Sequence, residues 1–194
     1  MRPNKAPRAF DFTETQPFTE TQPFKALAAG CVSCYAGHIP ETAEGFTMNN
    51  AEIETKMYEM AVAFLQKRFP TGWGGVGIVH TAQGSFFTSV ALECANASAL
   101  LCIETGAMCE AQKYNERVTH CLCVVREDEN APFTVLSPCG ICQERLRYWG
   151  EDVRVGVTTD DGSLRFVPLR TLQPYHWTRA YPPAEQEHYV DPCE

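Results

Sequence analysis

The sequence lacks a run of about 18 consecutive apolar residues, which argues against a transmembrane helix. Basic residues are also few: 16 lysines and arginines stand against 24 aspartates and glutamates, giving a net charge of -8. Long nucleic acids are therefore unexpected partners, because binding a phosphate backbone needs a basic surface. Small neutral or cationic molecules remain possible ligands.

The first residues also lack the charged start, apolar stretch and small-residue cleavage site of a secretory signal peptide. The ten cysteines would indicate a disulfide scaffold in a small secreted protein, but a chain of 194 residues can bury an ordinary core without disulfides. We therefore expect a reducing compartment, the cytoplasm, in which the cysteines serve metal binding or catalysis.

The chain changes character near residue 50. Residues 13–18 read Thr-Glu-Thr-Gln-Pro-Phe and residues 19–24 repeat them, which predicts an extended tail over residues 1–50. Within it, Cys31 and Cys34 are interpreted as reduced loop cysteines, with half of a zinc knuckle or a redox pair as alternatives. We predict one folded domain over residues 51–178, followed by a C-terminal tail over residues 179–194.

The hydrophobic pattern becomes regular from residue 51. Apolar residues recur at helical spacing over residues 51–68, and two strands joined by a turn are expected to form an antiparallel hairpin. These two strands are predicted at residues 76–80 and 85–92. Further helices are predicted around residues 102–111 and 139–149. Further strands are predicted at residues 118–125, 133–136, 153–157 and 164–167. The alternation predicts an α/β domain with helices on both faces of a mixed sheet.

Three cysteines are spaced as in a metal site. Cys139 and Cys142, preceded by a proline, share one face of the first turn of a predicted helix, where free amides and the helix dipole favour thiolates. Cys102, at the start of the preceding predicted helix, can converge with them at a crevice where strands end. Three protein ligands with one open position indicate a catalytic zinc ion rather than a structural one.

Glu104 follows Cys102 by two residues. A carboxylate there can reach the fourth zinc position without binding the ion, and can move protons between a bound water and a substrate. A Cys or His, a Glu two residues later and a downstream Pro-Cys-x-x-Cys form the signature of zinc deaminases. The motif predicts hydrolysis with Glu104 as the proton shuttle.

Residues 52 to about 177 resemble the small three-cysteine cytidine deaminases, whose relatives include blasticidin S deaminase. Glu93 stands nine residues before Cys102, as does the glutamate of the family's ribose-binding Asn-x-Glu. Trp73 takes the place of the aromatic residue that packs against the pyrimidine. Trp177 matches the C-terminal phenylalanine that reaches a neighbouring subunit's pocket.

The resemblance implies a three-layer α/β/α cytidine-deaminase-like fold with a mixed sheet of about five strands. It implies zinc on Cys102, Cys139 and Cys142, with Glu104 as the catalytic residue. The substrate would be a cytosine nucleoside (cytidine, deoxycytidine or a modified analogue), attacked at C4 while Glu104 protonates N3, giving the uracil nucleoside and ammonia in pyrimidine salvage. The resemblance also implies a homo-oligomer, a tetramer or a dimer, with active sites completed across interfaces.

The chain departs from the family pattern close to the predicted site. Ala91 replaces the ribose-binding asparagine, so a ribonucleoside should bind more weakly, by about 1–3 kcal/mol if a polar group is left unpaired. Thr105 and Gln143 replace arginines that offset the thiolate charge, and Arg145 can take over part of that work. These changes indicate the same reaction on a different substrate.

Other interpretations stay open beside a cytosine-nucleoside deaminase. One is a deaminase of blasticidin S-type aminonucleoside antibiotics, and another is a catalytically weak zinc-binding regulatory relative. A third is a thiol-redox protein using a Cys-x-x-Cys pair, which predicts no zinc and no role for Glu104. The remaining cysteines of the predicted domain, Cys94, Cys109, Cys121 and Cys123, are predicted to be buried small apolar residues.

Overall fold

The computed structural model describes residues 48–186 and 188–190. The prediction for Cys31 and Cys34 lies outside the described residues, as does almost all of the predicted N-terminal extension. The helices and strands follow in the order α1 Asn50–Arg68, β1 Gly74–Thr81, β2 Phe86–Ser89, α2 Thr105–Lys113, β3 Val118–Arg126, β4 Thr134–Leu136, α3 Gly140–Leu146, β5 Arg154–Gly156 and β6 Phe166–Pro168.

The strands form one mixed sheet in the order β2-β1-β3-β5-β6, with β4 also paired to β3. The predicted β1–β2 hairpin is confirmed, and β3 runs antiparallel to β1 and parallel to β5. The sheet has six strands rather than about five. The sixth strand arises because β3 is long enough to pair with two strands along one edge. Residues 120–121 pair with β5, and residues 123–125 pair with β4.

Helices cover both faces of the sheet, which confirms the three-layer α/β/α prediction. On one face, α1 packs its apolar stripe against β1 and β3. On the other face, α2 and α3 pack against the same strands and against β5. Asn49 and Glu52 cap the start of α1 reciprocally, each side chain accepting a hydrogen bond from the other's backbone N–H. Within the described part of the chain, no helix is both long and apolar enough to cross a membrane.

The second strand ends earlier than predicted. We expected it to reach residue 92, but β2 stops at Ser89, and Leu92 pairs instead with Leu101 through two backbone hydrogen bonds of 3.2 Å. This pairing draws residues 90–101 away from the hairpin and closes them into a loop of their own. The loop leads directly to Cys102.

Two of the four remaining cysteines are not where the sequence predicted. Cys121 and Cys123 are buried in β3, as expected, but Cys94 and Cys109 are exposed. Cys109 lies on the outer side of α2, whose buried stripe is formed by other residues of the helix. Cys94 lies in the exposed loop after β2, where its thiol donates to the carbonyl of Ala99 at 3.5 Å.

The last described residues contribute to the core. Tyr189 is buried, its hydroxyl donates to the carbonyl of Asn115 at 2.9 Å, and its backbone N–H donates to the carbonyl of Tyr148 at 2.7 Å. The segment around Tyr189 thereby packs on the face of the sheet that α2 and α3 cover.

Two buried histidines face each other on β1 and β3. His80 and His120 are cross-strand partners with ring centroids 5.5 Å apart, and Nδ1 of each ring lies within 2.9 Å of Thr119 Oγ1. Burial lowers the pKa of His120 from 6.5 to about 4, helped by His80 and Arg154, while burial and Lys56 lower that of His80. Both rings are therefore neutral at physiological pH.

We expect the domain to lose stability as the pH falls from 6.5 towards 4, the unfolded and folded pKa values of His120. On acidification the unfolded chain binds the proton first. The stability that neutral His120 contributes is therefore fully present above pH 6.5, is lost progressively between pH 6.5 and about 4, and is absent below that range. The shift corresponds to about 3 kcal/mol for His120. Urea unfolding across this range measures it. His120→Gln should flatten the pH slope, whereas His188→Gln, at an exposed histidine, should leave it unchanged; equal slopes in all three proteins would contradict the prediction.

Candidate metal centre and active site

Three thiols converge between the starts of α2 and α3. The sulfur atoms of Cys102, Cys139 and Cys142 all lie within 4.8 Å of one another, with 3.4 Å between those of Cys102 and Cys139. None of the three forms a disulfide. Zinc–sulfur bonds of about 2.3 Å in a tetrahedron place two sulfurs roughly 3.8 Å apart. The cluster therefore fits a zinc ion with three protein ligands.

The start of α3 places two of these thiols. Cys139 is the residue before the first helical residue and has an extended backbone, while Cys142 lies in the first turn and is completely buried. Burial acts to raise the pKa of Cys139, but hydrogen bonds from the backbone N–H groups of Cys142 and Ile141 and from the Cys102 thiol outweigh it and lower the pKa. Such amides at a helix start favour a thiolate, as the sequence suggested.

The other two thiols have raised pKa values. For Cys142 the cause is burial, followed by the negative charges of Glu104 and Cys139, and for Cys102 it is again burial first. Several negative groups in one half-buried place repel one another. A divalent cation held between the thiols would offset this cost, because metal coordination deprotonates thiols.

The segment from Cys102 to Glu104 lies directly on β1. We predicted a helix from about residue 102, but α2 begins at Thr105, whose N–H donates to the carbonyl of Cys102 at 3.0 Å. A Cβ atom at Gly77 would lie 2.7 Å from Cα of Glu104, so only glycine allows this approach. Glu104 is only 4% exposed, and the Cys142 thiol donates to its Oε2 at 3.4 Å. The structure thus brings the carboxylate beside the three thiols.

The other predicted site residues occupy the surroundings. Trp73 is half-exposed before β1, and a Cβ atom at Gly75 would meet both the indole of Trp73 and the side chain of Ile103, the residue between Cys102 and Glu104. Ala91 is half-buried and Glu93 is exposed, both in the loop after β2.

Trp177, which follows the last strand, contacts α3, the helix that contains Cys142. It is 63% exposed, and its Nε1 donates to Oε1 of Glu144, two residues after Cys142. The other carboxylate oxygen of Glu144 lies 2.8 Å from Nε2 of His176. The hydrogen bond with His176 is the main cause that lowers the pKa of Glu144.

Two side chains support the backbone around the site, and sequence reasoning singled out only the first of them, Arg145. Nη1 of Arg145 donates to Oγ1 of buried Thr105 at 2.7 Å, so a guanidinium lies at the start of α2 although it belongs to α3. The hydroxyl of Ser89 donates to the carbonyl of Ile103 at 2.6 Å. No motif marks Ser89, because its partner is 14 residues away along the chain.

Comparison with solved structures gives a close relative. The cytidine deaminase from Bacillus anthracis is 46% identical, with a TM-score of 0.65, and the similarity covers 66% of this chain and 92% of that one. This chain belongs to the cytidine deaminase family. The family resemblance predicted from the sequence is thereby confirmed, together with the fold.

Other cytidine deaminase structures are more distant from this family member. Those from Burkholderia pseudomallei and Mycobacterium leprae are each 20% identical, with TM-scores of 0.49 and 0.47. They cover 64% and 60% of this chain and 96% and 97% of their own. No protein-family model and no curated protein sequence matches the chain.

Proposed function

We propose that this cytidine deaminase family member is a zinc-dependent hydrolytic deaminase of a cytosine nucleoside, which it converts to the uracil nucleoside and ammonia. The observation that carries the proposal is the buried Glu104 carboxylate, 3.4 Å from Cys142 Sγ in a cluster of three thiols. The 46% identity to a cytidine deaminase supports it.

The chemistry is divided between the ion and this carboxylate. Bound at Cys102, Cys139 and Cys142, zinc would act as a Lewis acid and make water nucleophilic at neutral pH. Glu104 takes a proton from the attacking water, delivers it to N3 of the pyrimidine, and takes part in the second transfer that lets the 4-amino group leave as ammonia. Its burial restricts proton exchange with bulk water, so the proton is kept for the substrate.

The substrate-binding roles follow the family positions. Trp73 packs against the base, Glu93 binds the sugar, and Ala91, two residues before Glu93, contributes no side-chain hydrogen bond. Exposed Trp177 completes the pocket of a neighbouring copy in a homo-oligomer. In this proposal residues 51–178 form the catalytic domain, and the enzyme acts on a small molecule of the cytoplasm in pyrimidine salvage.

A panel of cytidine, deoxycytidine, cytosine, 5-substituted cytidines and blasticidin S tests the function. The zinc-containing protein is expected to consume the 4-amino chromophore of at least one nucleoside and to release equimolar ammonia, and a chelator should abolish both. Turnover of blasticidin S alone would assign the antibiotic-deaminase alternative. Zinc binding without turnover would contradict the proposal and favour the regulatory relative, and a protein that binds no zinc would favour the thiol-redox interpretation.

Replacing Trp73 by alanine is expected to raise KM for the best substrate about tenfold and to change kcat less, because an aromatic stacking partner of the base is lost. Trp73→Phe should stay within about threefold of the parent, since a ring remains. Steady-state kinetics gives both constants. Tyr114→Ala is the matched control, because Tyr114 is 55% exposed and lies at the opposite end of α2 from Glu104. Equal KM values for the parent and Trp73→Ala would remove Trp73 from the substrate pocket.

A further inference from the structure

One cross-strand pair of the β1–β2 hairpin contacts the segment that carries Glu104. Gly77 and Ser89 are register partners at the end of β2. A Cβ atom at Gly77 would lie 2.7 Å from Cα of Glu104 and 2.9 Å from the carbonyl oxygen of Ile103. The Ser89 hydroxyl donates to that same carbonyl at 2.6 Å. The backbone from Ile103 to Glu104 therefore packs directly on Gly77 and accepts a hydrogen bond from Ser89.

The same pair also contacts the first turn of α2. A Cβ atom at Gly106 would lie 2.8 Å from Cβ of Ser89, so the helix approaches the strand as closely as a glycine permits. Carbon atoms at van der Waals contact are about 3.5–4.0 Å apart. Gly77 and Gly106 thus set how closely the segment from Ile103 to Gly106 packs on the sheet. The Ser89 hydroxyl sets the position of this segment along the strand.

We propose that Ser89 and Gly77 are positioning residues for Glu104. This inference rests on the proposed function, in which the Glu104 carboxylate carries the proton. Neither residue needs to touch the substrate. Ser89 restrains the carbonyl of Ile103, one peptide before Glu104 and one residue after Cys102, so it acts on the carboxylate and on one thiol at once.

The chemistry explains why such restraint matters. The Glu104 carboxylate must face the water and the substrate nitrogen in turn while staying beside the thiols, and groups that are misplaced by about 1 Å can lose rate by roughly 10²-fold. Glu104 directly precedes α2, and its own carbonyl accepts from the N–H of Met108 at 3.2 Å, so the helix restrains the C-terminal side of this residue. The peptide before it, which carries the carbonyl of Ile103, is restrained by the Ser89 hydroxyl. Among the described residues, the Ser89 hydroxyl is the side-chain donor on Ile103.

Ser89→Ala tests the hydroxyl without adding bulk. We expect kcat to fall about tenfold while KM stays within about twofold, because the substrate contacts are intact and the proton-carrying group is less well held. Ser89→Thr, which keeps a hydroxyl, should recover most of kcat. Thr88→Ala is the matched control: Thr88 is exposed on the same strand and should leave both constants unchanged.

Two readouts report the position of the segment without relying on turnover. Hydrogen–deuterium exchange of peptides covering residues 102–108 should be faster in Ser89→Ala and unchanged in Thr88→Ala. The absorption bands of the cobalt-substituted protein should shift in Ser89→Ala, because Cys102 is tied to the same peptide. Gly77→Ala should alter both more strongly, whereas Gly156→Ala crowds the α1 side of the sheet and should destabilise the protein without changing the cobalt spectrum.

The outcomes separate this inference from the proposed function. Unchanged exchange and cobalt spectra in Ser89→Ala would overturn the positioning role, whatever the activity of the parent. An unchanged kcat in Ser89→Ala with an active parent would overturn it as well. A parent that turns over no cytosine compound would contradict the proposed function, and the exchange and spectral results would then decide whether Ser89 positions the segment.

Discussion

Replacing Glu104 by glutamine is expected to lower kcat for deamination by about 10²–10⁴-fold, the range for general acid–base catalysis. The amide has nearly the same shape as the carboxylate, so it should fit the same buried position beside the thiols. It cannot take a proton from water at neutral pH. The rate should therefore fall while zinc content and melting temperature stay near those of the parent.

The matched control is Glu110→Gln, which removes a carboxylate from the outer part of α2. The Glu110 side chain is 46% exposed and pairs with Lys113 on the surface, so the activity of this variant should equal that of the parent. Ammonia release under saturating substrate measures the difference. Full activity in Glu104→Gln would exclude the assigned proton shuttle, and a loss of zinc in that variant would show that Glu104 supports the metal site instead.

Replacing Cys142 by serine is expected to abolish zinc binding and to lower turnover by more than about 10³-fold, because a serine hydroxyl stays protonated and does not replace a thiolate ligand. Cys142 is 0% exposed, so an added ligand from solvent cannot easily take its place. Zinc per chain, measured on purified protein, gives the first result. Ammonia release gives the second.

Thermal unfolding provides an independent measure of the same loss. A ligand present at about 1,000 times its Kd stabilises the folded state by roughly 4 kcal/mol, equivalent to about 10 °C for a domain of this size. Zinc should therefore raise the melting temperature of the metal-free parent and leave that of Cys142→Ser unchanged. Cys109→Ser, at an exposed cysteine of α2, should retain the full response. Zinc retention by Cys142→Ser would contradict the three-thiolate site.

Local patterns predicted most of the elements that hold the site. The predicted helix over residues 51–68 matches α1 with one residue added, because apolar spacing and a capping asparagine are both encoded within a few residues. The first hairpin was predicted for the same reason. Boundaries that depend on distant partners were wrong: β2 was expected to reach residue 92, and Leu92 instead pairs with Leu101.

Burial was harder to predict than secondary structure. Cys94 and Cys109 were expected to be buried because cysteine is a small apolar residue, yet both are exposed. Composition indicates how often a residue type is buried, whereas the neighbouring elements decide whether a given helix side is covered. The number of strands in the sheet also depends on neighbouring elements, because β4 and β5 pair with different parts of the same edge of β3.

The sequence by itself determined which groups the proposed chemistry would use, because the residue types and short spacings of Cys102, Glu104, Cys139 and Cys142 already supply three thiols and one carboxylate. Only the tertiary structure decided how these groups meet. Cys102 and Cys139 are 37 residues apart in sequence, but their sulfur atoms lie 3.4 Å apart because α2 and α3 begin at the same place on the sheet. Likewise, Gly77 and Ser89 come to support Glu104 through strand register and packing, which no local pattern records.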